Sequence, residues 1–203
     1  MRRPSVPEAG RVVTGAAGGL RLEAPGSGTR PLSDKVKQAL FSMVEAERED
    51  AWERPLLDLF AGSGAAGIEA LSRGAPAAVL VEKDGRACAV IRRNLERTRL
   101  AAEAQVVRRD VLAYLNAPGA PAPFGCVVLD PPYAQVADLL AALTRLGEDE
   151  AWLDPDAVVV AKHFWKDAPP VRIGRLERVR ERRFGETALS VYRPVSEHTQ
   201  GGD

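Results

Sequence analysis

The feature that most constrains the fold is an alternation that starts near residue 55. Short apolar runs alternate there with segments that have the apolar spacing of a helix. The predicted strands are "PLLDLF", "AAVLVEKD", "AQVVRRD", "FGCVVLD" and "AVVVAKHF", and the predicted helices are "GAAGIEALSRG", "GRACAVIRRNLERTRL" and "VADLLAALTRLG". Strands that are apolar almost throughout are typical of a parallel sheet covered by helices on both faces. The pattern therefore predicts an α/β fold.

Two predicted hairpins flank this alternation. The last two strand-like runs, separated only by "GE", are "LERVRERRF" and "TALSVYRP", and they predict a terminal antiparallel hairpin in a mostly parallel sheet of about seven strands. An earlier hairpin is predicted for "RVVTGAAGGLRLEAP" around its glycine-rich turn. A helix should follow it, with Ser33 as N-cap and an apolar face that contains Val36, Leu40, Met43 and Val44.

The predicted organisation is one domain with a small extension. Residues 1–50 would form the extension, residues 51–195 the main domain, and residues 196–203 a disordered tail. The first ten residues are also expected to lack regular structure.

Composition restricts the partners. The 28 basic and 28 acidic residues cancel, so a site for a polyanion must be local. Arginine makes up 23 of the basic residues, and its guanidinium suits bidentate phosphate contacts.

Cys88 and Cys126 lie in apolar segments without CxxC spacing, which indicates a reducing compartment and neither disulfides nor a metal site. No apolar run approaches the roughly 18 residues of a membrane span. We expect a cytoplasmic protein that is monomeric and does not bind membranes.

The first chemical motif is "LLDLFAGSGAAGIEAL", in which Gly62, Gly64 and Gly67 give the GxGxxG spacing of dinucleotide-binding turns. Asp58 precedes that turn and would face a pyrophosphate with like charge, so it suits a cationic ligand better. Glu82 ends the next strand, where an acid can bind a ribose diol. S-adenosylmethionine has a ribose and a cationic amino-acid end but no phosphate. The motif therefore favours this cofactor over NAD.

A third acid, Asp110, ends the following strand and could accept a hydrogen bond from an adenine amine. Acids between a strand and a helix are also common helix caps. Both interpretations of Asp110 remain open at this stage, whereas three successive strands that end in acids favour a ligand site.

The second motif is "CVVLDPPYAQV", in which Asp130 follows a buried strand and precedes Pro131, Pro132 and Tyr133. Ligands of such sheets bind at the carboxyl ends of the strands, so Asp130 should share an edge with the glycine turn. Its carboxylate and the Pro131 carbonyl could accept hydrogen bonds from an exocyclic amine that receives a methyl group. The prolines would hold these acceptors in place, and Tyr133 offers a face for an unstacked base.

Together these motifs resemble the amino-methyltransferases of the class I S-adenosylmethionine-dependent fold. From Arg11 to Arg193 the chain is similar to the bacterial small-subunit rRNA guanine-N2 methyltransferases of the RsmD type. The segments that carry this resemblance are "RVVTGAAGGLRL", "TRPLSDKVKQALFSMV", "DLFAGSGAAGIEALSRGA", "VEKD", "LDPPY" and "RRFGETALSVYR". The resemblance implies methylation of guanine 966 of the small-subunit rRNA during ribosome maturation. The substrate would be that rRNA or the assembling 30S particle.

The resemblance also assigns roles. The cofactor pocket would be formed by Arg30, Pro31, Asp58, Phe60, Ala61, Gly62, Ser63, Gly64, Glu82, Lys83, Asp110, Val111 and Asp130. The catalytic residues would be Asp130, Pro131, Pro132 and Tyr133, and Tyr133 and Phe184 would flank the base. Relatives often have a Glu-His pair after the fifth strand, where this chain has Lys162-His163. His163 could be a general base, a structural residue or an RNA contact.

The chain has no insertion large enough to form a domain for reading DNA grooves, so a structured RNA with a splayed base is the expected substrate. The candidate phosphate contacts are Arg2, Arg3, Arg11, Arg21, Arg182 and Arg183. The arginines of one helix, Arg92, Arg93, Arg97 and Arg99, are expected to face solvent instead.

Three other functions remain open. An NAD-dependent oxidoreductase would use the glycine turn but leaves Asp58 and "DPPY" without a role. A DNA adenine-N6 or cytosine-N4 methyltransferase would act on similar amines. An RNA-binding assembly factor without activity would not need Asp130 and its neighbours. A cytosine-C5 methyltransferase is disfavoured because neither cysteine ends a strand at the expected site.

Overall fold

The computed structural model describes residues 8–26, 32–119 and 123–195. The strands in these ranges are β1 (Glu8–Arg11), β2 (Arg21–Glu23), β3 (Leu56–Leu59), β4 (Ala78–Glu82), β5 (Ala104–Arg108), β6 (Phe124–Leu129), β7 (Leu153–Phe164), β8 (Arg172–Ile173), β9 (Leu176–Phe184) and β10 (Thr187–Pro194). The α-helices are α1 (Asp34–Glu47), α2 (Ala65–Ser72), α3 (Gly85–Thr98), α4 (Val111–Leu115) and α5 (Val136–Glu148).

A single mixed sheet, in the order β5-β4-β3-β6-β7-β10-β9-β8, organises the main part of the chain. The pairs from β5 to β7 are parallel, and β10, β9 and β8 continue the sheet in antiparallel fashion. The predicted α/β fold with a terminal hairpin is therefore confirmed. The predicted number of seven strands is wrong because the two-residue strand β8 adds an eighth, and so short a strand leaves no periodicity in the sequence.

Burial on both faces explains why the strands are nearly continuously apolar. Successive residues of β3 contribute to different cores: Leu56 packs with α1, α2 and α3 on one face, and Leu57 packs with α4 and α5 on the other. Asp58 is the exception in β3, because it puts a carboxylate on the α2 side at a position that is 1% exposed. The sheet is therefore a two-sided core interrupted by one buried acid.

The helices and strands follow the sequence with two differences, one in a helix and one in a strand. Ser33 caps α1 by accepting from the Val36 N–H, and the predicted apolar face of that helix is buried, which confirms both expectations. Helix α4 was not predicted, because five residues are too few to show a helical period. Strand β7 begins at Leu153, before the predicted "AVVVAKHF", and it contains a proline.

The N-terminal hairpin is confirmed as an antiparallel pair of β1 and β2. The expectation that the first ten residues lack regular structure is wrong for residues 8–10, because they pair with β2. Residues 1–7 and the predicted tail at 196–203 lie outside the described residues, and the division at residue 50 stays a prediction. In the described ranges, no helix is both long and apolar enough to cross a membrane.

A buried acid on α2 holds the loop of the hairpin. The Glu69 carboxylate accepts hydrogen bonds from the backbone N–H groups of Val13 and Thr14, at 2.6 and 3.1 Å. Arg73 donates to the same carboxylate at 3.0 Å, and the ammonium of Lys37 lies 3.9 Å from it. Both Lys37 and Glu69 are 0% exposed, and burial lowers the pKa of Lys37 while the nearby Glu69 opposes that shift. The hairpin is thus anchored to α1 and α2 through a buried ionic network.

We predict that Glu69→Ala lowers the free energy of unfolding by about 3 to 5 kcal/mol, because the substitution leaves the Lys37 ammonium buried without its main partner. The measurement is urea denaturation monitored by circular dichroism. Glu96→Ala is the control, since Glu96 lies exposed on α3, and it should change stability by no more than about 0.5 kcal/mol. Equal stability of the two variants would contradict the anchoring role.

Candidate active site

A cavity of about 570 Å³ opens at the carboxyl edge of the parallel strands. Its lining includes both Gly62 of the glycine turn and Asp130 of "DPPY". Leu59 of β3 is in register with Val81 of β4 and with Leu129 of β6, so the residues that follow these three strands emerge at the same level. The two motifs therefore border one space, as the sequence predicts.

The glycine turn between β3 and α2 has a backbone that few other residues could adopt. Phe60, Gly62 and Gly64 all have positive φ angles, of 64°, 57° and 77°. Gly67 is required for a different reason, since a Cβ there would lie 2.7 Å from the Leu80 side chain. Because Gly67 has no Cβ, α2 can approach β4 closely. This packing brings the start of α2 to the edge of the cavity.

Asp58 is buried beneath the turn. Its Oδ2 accepts from the Gly67 N–H at 2.9 Å, which ties β3 to the first turn of α2. Burial raises the pKa of Asp58 to about 7, the Gly67 hydrogen bond opposes this shift, and the nearby carboxylates of Asp130 and Glu82 add to it. A cation bound beside Asp58 would favour its ionised form. The group is therefore able to respond to a charged ligand near neutral pH.

The other acids of the lining are held by backbone N–H groups. Glu82 accepts from the N–H groups of Gly62 and Asp84, at 2.9 and 2.8 Å. Asp84 caps α3, and its bonds to Arg86 and Ala87 N–H groups lower the pKa of its carboxyl. Asp110 caps α4 through Leu112 and Ala113. The cap interpretation of Asp110 is thus confirmed, yet the residue also lines the cavity.

Asp130 has a cationic partner. The ammonium of Lys162, at the end of β7, donates to Asp130 Oδ1 and lies 5.3 Å from the centre of the Tyr133 ring. Burial raises the pKa of Asp130, and the charge and hydrogen bond of Lys162 oppose that shift. The Tyr133 hydroxyl lies 2.5 Å from Thr187 Oγ1, which joins "DPPY" to the terminal hairpin. The acid, the amine and the ring are therefore held together by adjacent strands.

Most of the predicted pocket residues line the cavity. They are Asp58, Phe60, Ala61, Gly62, Ser63, Glu82, Lys83, Asp110, Val111, Asp130, Pro131, Pro132 and Tyr133. Gly64 is not among the lining residues. A Cβ at Gly64 would point into the core, 3.1 Å from the side chains of Ile91 and Leu80. Arg30 and Pro31 lie outside the described residues. The role of each residue stays a prediction.

The predicted substrate contacts fall into two groups. Arg11 and Arg21 pair with the carboxylates of Asp34 and Glu8, so their charges are already compensated. Arg182 lies with its guanidinium 5.2 Å from the centre of the Phe184 ring, and Arg183 lies 3.6 Å from that of Trp165. None of these predicted contacts lines the cavity. Arg2 and Arg3 lie outside the described residues.

The arginines of α3 do not simply face solvent. Arg93 and Arg97 pair with Glu23 of β2, at 2.9 and 2.6 Å, and so connect α3 to the hairpin. Arg92 and Arg99 are exposed, as expected for the whole group.

Sequence reasoning missed several lining residues. The hairpin region contributes Ala9, Ala24, Pro25, Gly26 and Leu32, and the helices, their caps and β7 contribute Ala65, Ala66, Asp84, Arg86, Ala87, Gln135 and Lys162. Lys162 and Asp84 could have been found, since each lies at the carboxyl end of a predicted strand. The hairpin residues carry no such signal. Only the packing of the hairpin against α2 and α3 brings them to the cavity.

His163 and the cysteines are not part of this site. His163 is 3% exposed, and its ring nitrogens lie 2.8 Å from the Phe164 carbonyl and 2.9 Å from Ser190 Oγ. Both partners belong to the sheet, so His163 has a structural environment, and the suggestion that it is a general base is not supported.

Cys88 and Cys126 are buried and unpaired, and burial raises the pKa of Cys126 to about 12. Neither thiol lines the cavity.

The electrostatics of the cavity favour a cationic ligand. Among the described residues, its lining contains the five acids Asp58, Glu82, Asp84, Asp110 and Asp130. The basic residues of the same lining are Lys83, Arg86 and Lys162, and Lys162 is committed to Asp130. A pyrophosphate would meet several carboxylates there, whereas a ligand with an ammonium or sulfonium group would be attracted.

Comparison with known proteins agrees with this architecture. The model of the family described as conserved hypothetical protein 95 matches residues 10–193. The chain belongs to this family. It is 32% identical to the ribosomal RNA small subunit methyltransferase D of Escherichia coli (strain K12), over the full length of both chains. The Bacillus subtilis (strain 168) protein YlbH is 36% identical, over 90% of this chain and 98% of its own.

A solved structure shows the same fold. The Escherichia coli protein yhhF superposes with a TM-score of 0.78 at 30% identity, over 91% of this chain and 97% of its own. The predicted class I methyltransferase fold and the predicted family are therefore confirmed.

The raised pKa of Asp58 predicts a pH dependence of stability. Between its ordinary value of 3.8 and about 7, the folded protein keeps a proton on Asp58 that the unfolded chain has released. The free energy of unfolding should therefore fall as pH rises through this window, by about 1.4 kcal/mol per pH unit from this group alone. Asp58→Asn should remove this contribution.

The measurement is urea denaturation of both proteins between about pH 5 and about pH 8. Glu96→Gln, a change of an exposed acid on α3, should give a curve parallel to that of the unchanged protein. If the Asp58→Asn curve is also parallel, Asp58 does not titrate near neutral pH.

Proposed function

We propose that this protein transfers a methyl group from S-adenosylmethionine to the exocyclic N2 amine of a guanine in small-subunit rRNA. The observation that carries the proposal is the shared cavity of the glycine turn and Asp130. A methyl donor held by the turn and an amine held by Asp130 would meet inside one space. Such an arrangement makes direct transfer possible without a covalent enzyme intermediate.

The residues of the cavity fit this cofactor. Glu82 lies where an acid can bind a ribose diol, and its carboxylate also holds the glycine turn. Asp58 and the net acidic lining suit the cationic amino-acid end and the sulfonium, and Asp110 borders the same cavity as a candidate partner for the adenine. When bound, S-adenosylmethionine supplies an electrophilic methyl group on sulfur. NAD fits less well, because its pyrophosphate would face Asp58 and Glu82.

Asp130 is suited to hold the methyl acceptor. Lys162 engages its Oδ1, so Oδ2 is the oxygen that can accept from a substrate amine. Lys162 also counters the effect of burial on the carboxyl and so favours the ionised form. A carboxylate that accepts from the amine stabilises the positive charge that develops on nitrogen during transfer. Tyr133 contributes a ring face at the same edge, partly exposed and available for stacking.

Gln135 supports guanine as the base. It lines the cavity close to "DPPY", and its Oε1 is buried with no hydrogen-bond donor among the described residues. Guanine presents an N1–H donor next to its N2 amine, whereas adenine and cytosine present a ring nitrogen acceptor next to theirs. The unpaired oxygen would accept from the first, whereas the other two bases would need the amide reversed so that its NH2 group faces them. In the observed orientation the amide therefore suits guanine better than the bases that a DNA amino-methyltransferase would modify.

The names of the relatives support rRNA as the substrate class. The Escherichia coli relative that matches the full chain is named as a methyltransferase of the ribosomal RNA small subunit. We place the protein in the cytoplasm, where this RNA is made. We also propose guanine 966 as the target and a monomer as the active form.

We predict that Asp130→Ala lowers kcat for methylation of unmodified small-subunit rRNA by at least about 100-fold, because the developing charge on the amine loses its carboxylate. The affinity for S-adenosylhomocysteine should remain close to that of the unchanged protein. The measurements are transfer of labelled methyl groups and calorimetric titration. Asp138→Ala, which alters an acid of α5 outside the cavity lining, should retain activity. Turnover that survives in Asp130→Ala would disprove the site.

A second prediction concerns Gln135. Gln135→Leu should reduce kcat/KM for the rRNA about 10-fold through loss of one hydrogen bond to the base, with no change in cofactor affinity. Gln105→Leu, an exposed change on β5, is the matched control. Mass analysis of the product nucleosides should find N2-methylguanosine. Methylated adenine or cytosine in its place would overturn the assignment of the base.

A further inference from the structure

A series of ring contacts leads from the candidate site to the outer surface of the terminal hairpin. The rings of Tyr133 and Phe164 lie 5.9 Å apart between centres, and those of Phe164 and Trp165 lie 6.2 Å apart. Trp165 is only partly buried. Its indole is therefore a surface feature in close proximity to the ring proposed to hold the target base.

Two cations lie over this indole. The guanidinium carbon of Arg183 is 3.6 Å from the centre of the Trp165 ring, which is a stacking distance, and Lys166 Nζ is 5.3 Å from the same ring. Arg183 Nε donates to the Gly185 carbonyl at 2.7 Å, and the backbone N–H of Trp165 donates to the Glu186 carbonyl at 3.0 Å. The hairpin turn thus holds the guanidinium of Arg183 and the backbone of Trp165.

The cations of this patch have no ion-pair partner among the described residues. Arg182, Arg183 and Lys166 are exposed, and they take part in none of the ion pairs formed between described residues. Arg11 and Arg21 of the hairpin loop, by contrast, each have a carboxylate partner. In a chain whose charges cancel overall, cations without ion-pair partners beside the rings that lead to the site indicate an anionic partner.

We infer that Trp165, Arg183 and Lys166 form a docking platform for a single-stranded RNA nucleotide that neighbours the target base. The inference rests on the proposed function, since it assumes that the substrate is RNA. Unstacked bases bind on aromatic rings and on guanidinium planes, and this platform offers both in one stack. A duplex would present only phosphates to it and would leave the indole without a role. The platform binds the phosphate through Arg183 and Lys166 and the base through the Trp165–Arg183 stack.

The platform also explains how a small protein could select a splayed base without a separate RNA-binding domain. The target base would contact Tyr133 while its neighbour is held at the hairpin turn, so the strand is stretched across the edge of the sheet. Tyr133 follows β6 and Trp165 follows β7, and these two strands are paired in the sheet, while β10 connects β7 to the strand of Arg183, β9. The spacing of the two nucleotides is therefore set by the sheet.

The test uses the full-length protein and a fluorescein-labelled single-stranded RNA oligonucleotide of mixed sequence, with binding followed by anisotropy. Trp165→Ala should raise Kd about 5- to 100-fold, and Trp165→Phe, which keeps a ring, should raise it less. Arg183→Ala should weaken binding and lower the slope of log K against log salt by about 0.7. Every variant should bind S-adenosylhomocysteine like the unchanged protein.

The matched control is Arg172→Ala. Arg172 is likewise exposed and takes part in no ion pair between described residues, but it pairs in register with Glu177 near the start of β9, whereas Arg183 lies near its end. This variant should leave Kd unchanged. If Trp165→Ala and Arg183→Ala bind the oligonucleotide as tightly as Arg172→Ala does, the platform does not bind RNA.

Two further outcomes separate the possible failures. Variants that bind naked RNA normally but lose activity only on protein-containing ribosomal particles would show a protein-binding surface, which would overturn the inference. RNA binding that depends on Trp165, in a protein that transfers no methyl group to any RNA, would support the platform and refute the proposed function.

Discussion

The parallel register of β3 between β4 and β6 is the constraint on which the candidate site depends. Leu59 lies opposite Val81 and Leu129, so the glycine turn, Glu82 and Asp130 leave the sheet at the same level. Two hydrogen bonds extend the ladder beyond the strands, from Ala61 N–H to the Val81 carbonyl at 3.1 Å and from Asp130 N–H to the Leu59 carbonyl at 3.3 Å. A slip of one residue would exchange the buried faces of a strand and separate these groups, so core packing itself maintains the site.

The electrostatics of the cavity depend on the same strands. Its acids are held in two ways: Glu82, Asp84 and Asp110 accept from backbone N–H groups, whereas Asp130 is paired with Lys162. Backbone donors stabilise a carboxylate without cancelling its charge, so these acids still attract a cation. Burial raises the pKa of Asp130, and the ion pair with Lys162 opposes that shift and so favours the ionised form. One cavity therefore combines a region suited to a cationic cofactor and a region suited to a neutral amine.

Two hairpins, one near each end of the chain, support the site. Glu69 and Lys37 anchor the N-terminal hairpin, which brings Ala9 and Ala24 to the cavity. The terminal hairpin is joined to "DPPY" by the contact of the Tyr133 hydroxyl with Thr187. Neither hairpin belongs to the parallel core. The N-terminal hairpin borders the cavity directly, whereas the terminal hairpin contacts it through Tyr133.

Local patterns in the sequence were sufficient for the strands of the parallel sheet, the cap at Ser33 and the two motifs that line the cavity. These features depend on neighbouring residues, since alternation, capping and glycine spacing all act over a few positions. Helix α4 and strand β8 were missed because five and two residues are too short for a period to appear. The ion pairs of Arg11 and Arg21 with Asp34 and Glu8 could not be predicted from local sequence patterns either.

The sequence by itself determined the α/β class, the order of the main elements and the acids at the strand ends, because each of these follows from local hydrophobicity and turn chemistry. Only the tertiary structure decided that Lys162 pairs with Asp130, that His163 is held by Ser190, and that Trp165 lies under Arg183. The first contact joins β7 to the residue after β6, the second joins β7 to β10, and the third joins the residue after β7 to β9. Their partners are set by how strands meet in space, which no local pattern of residues encodes.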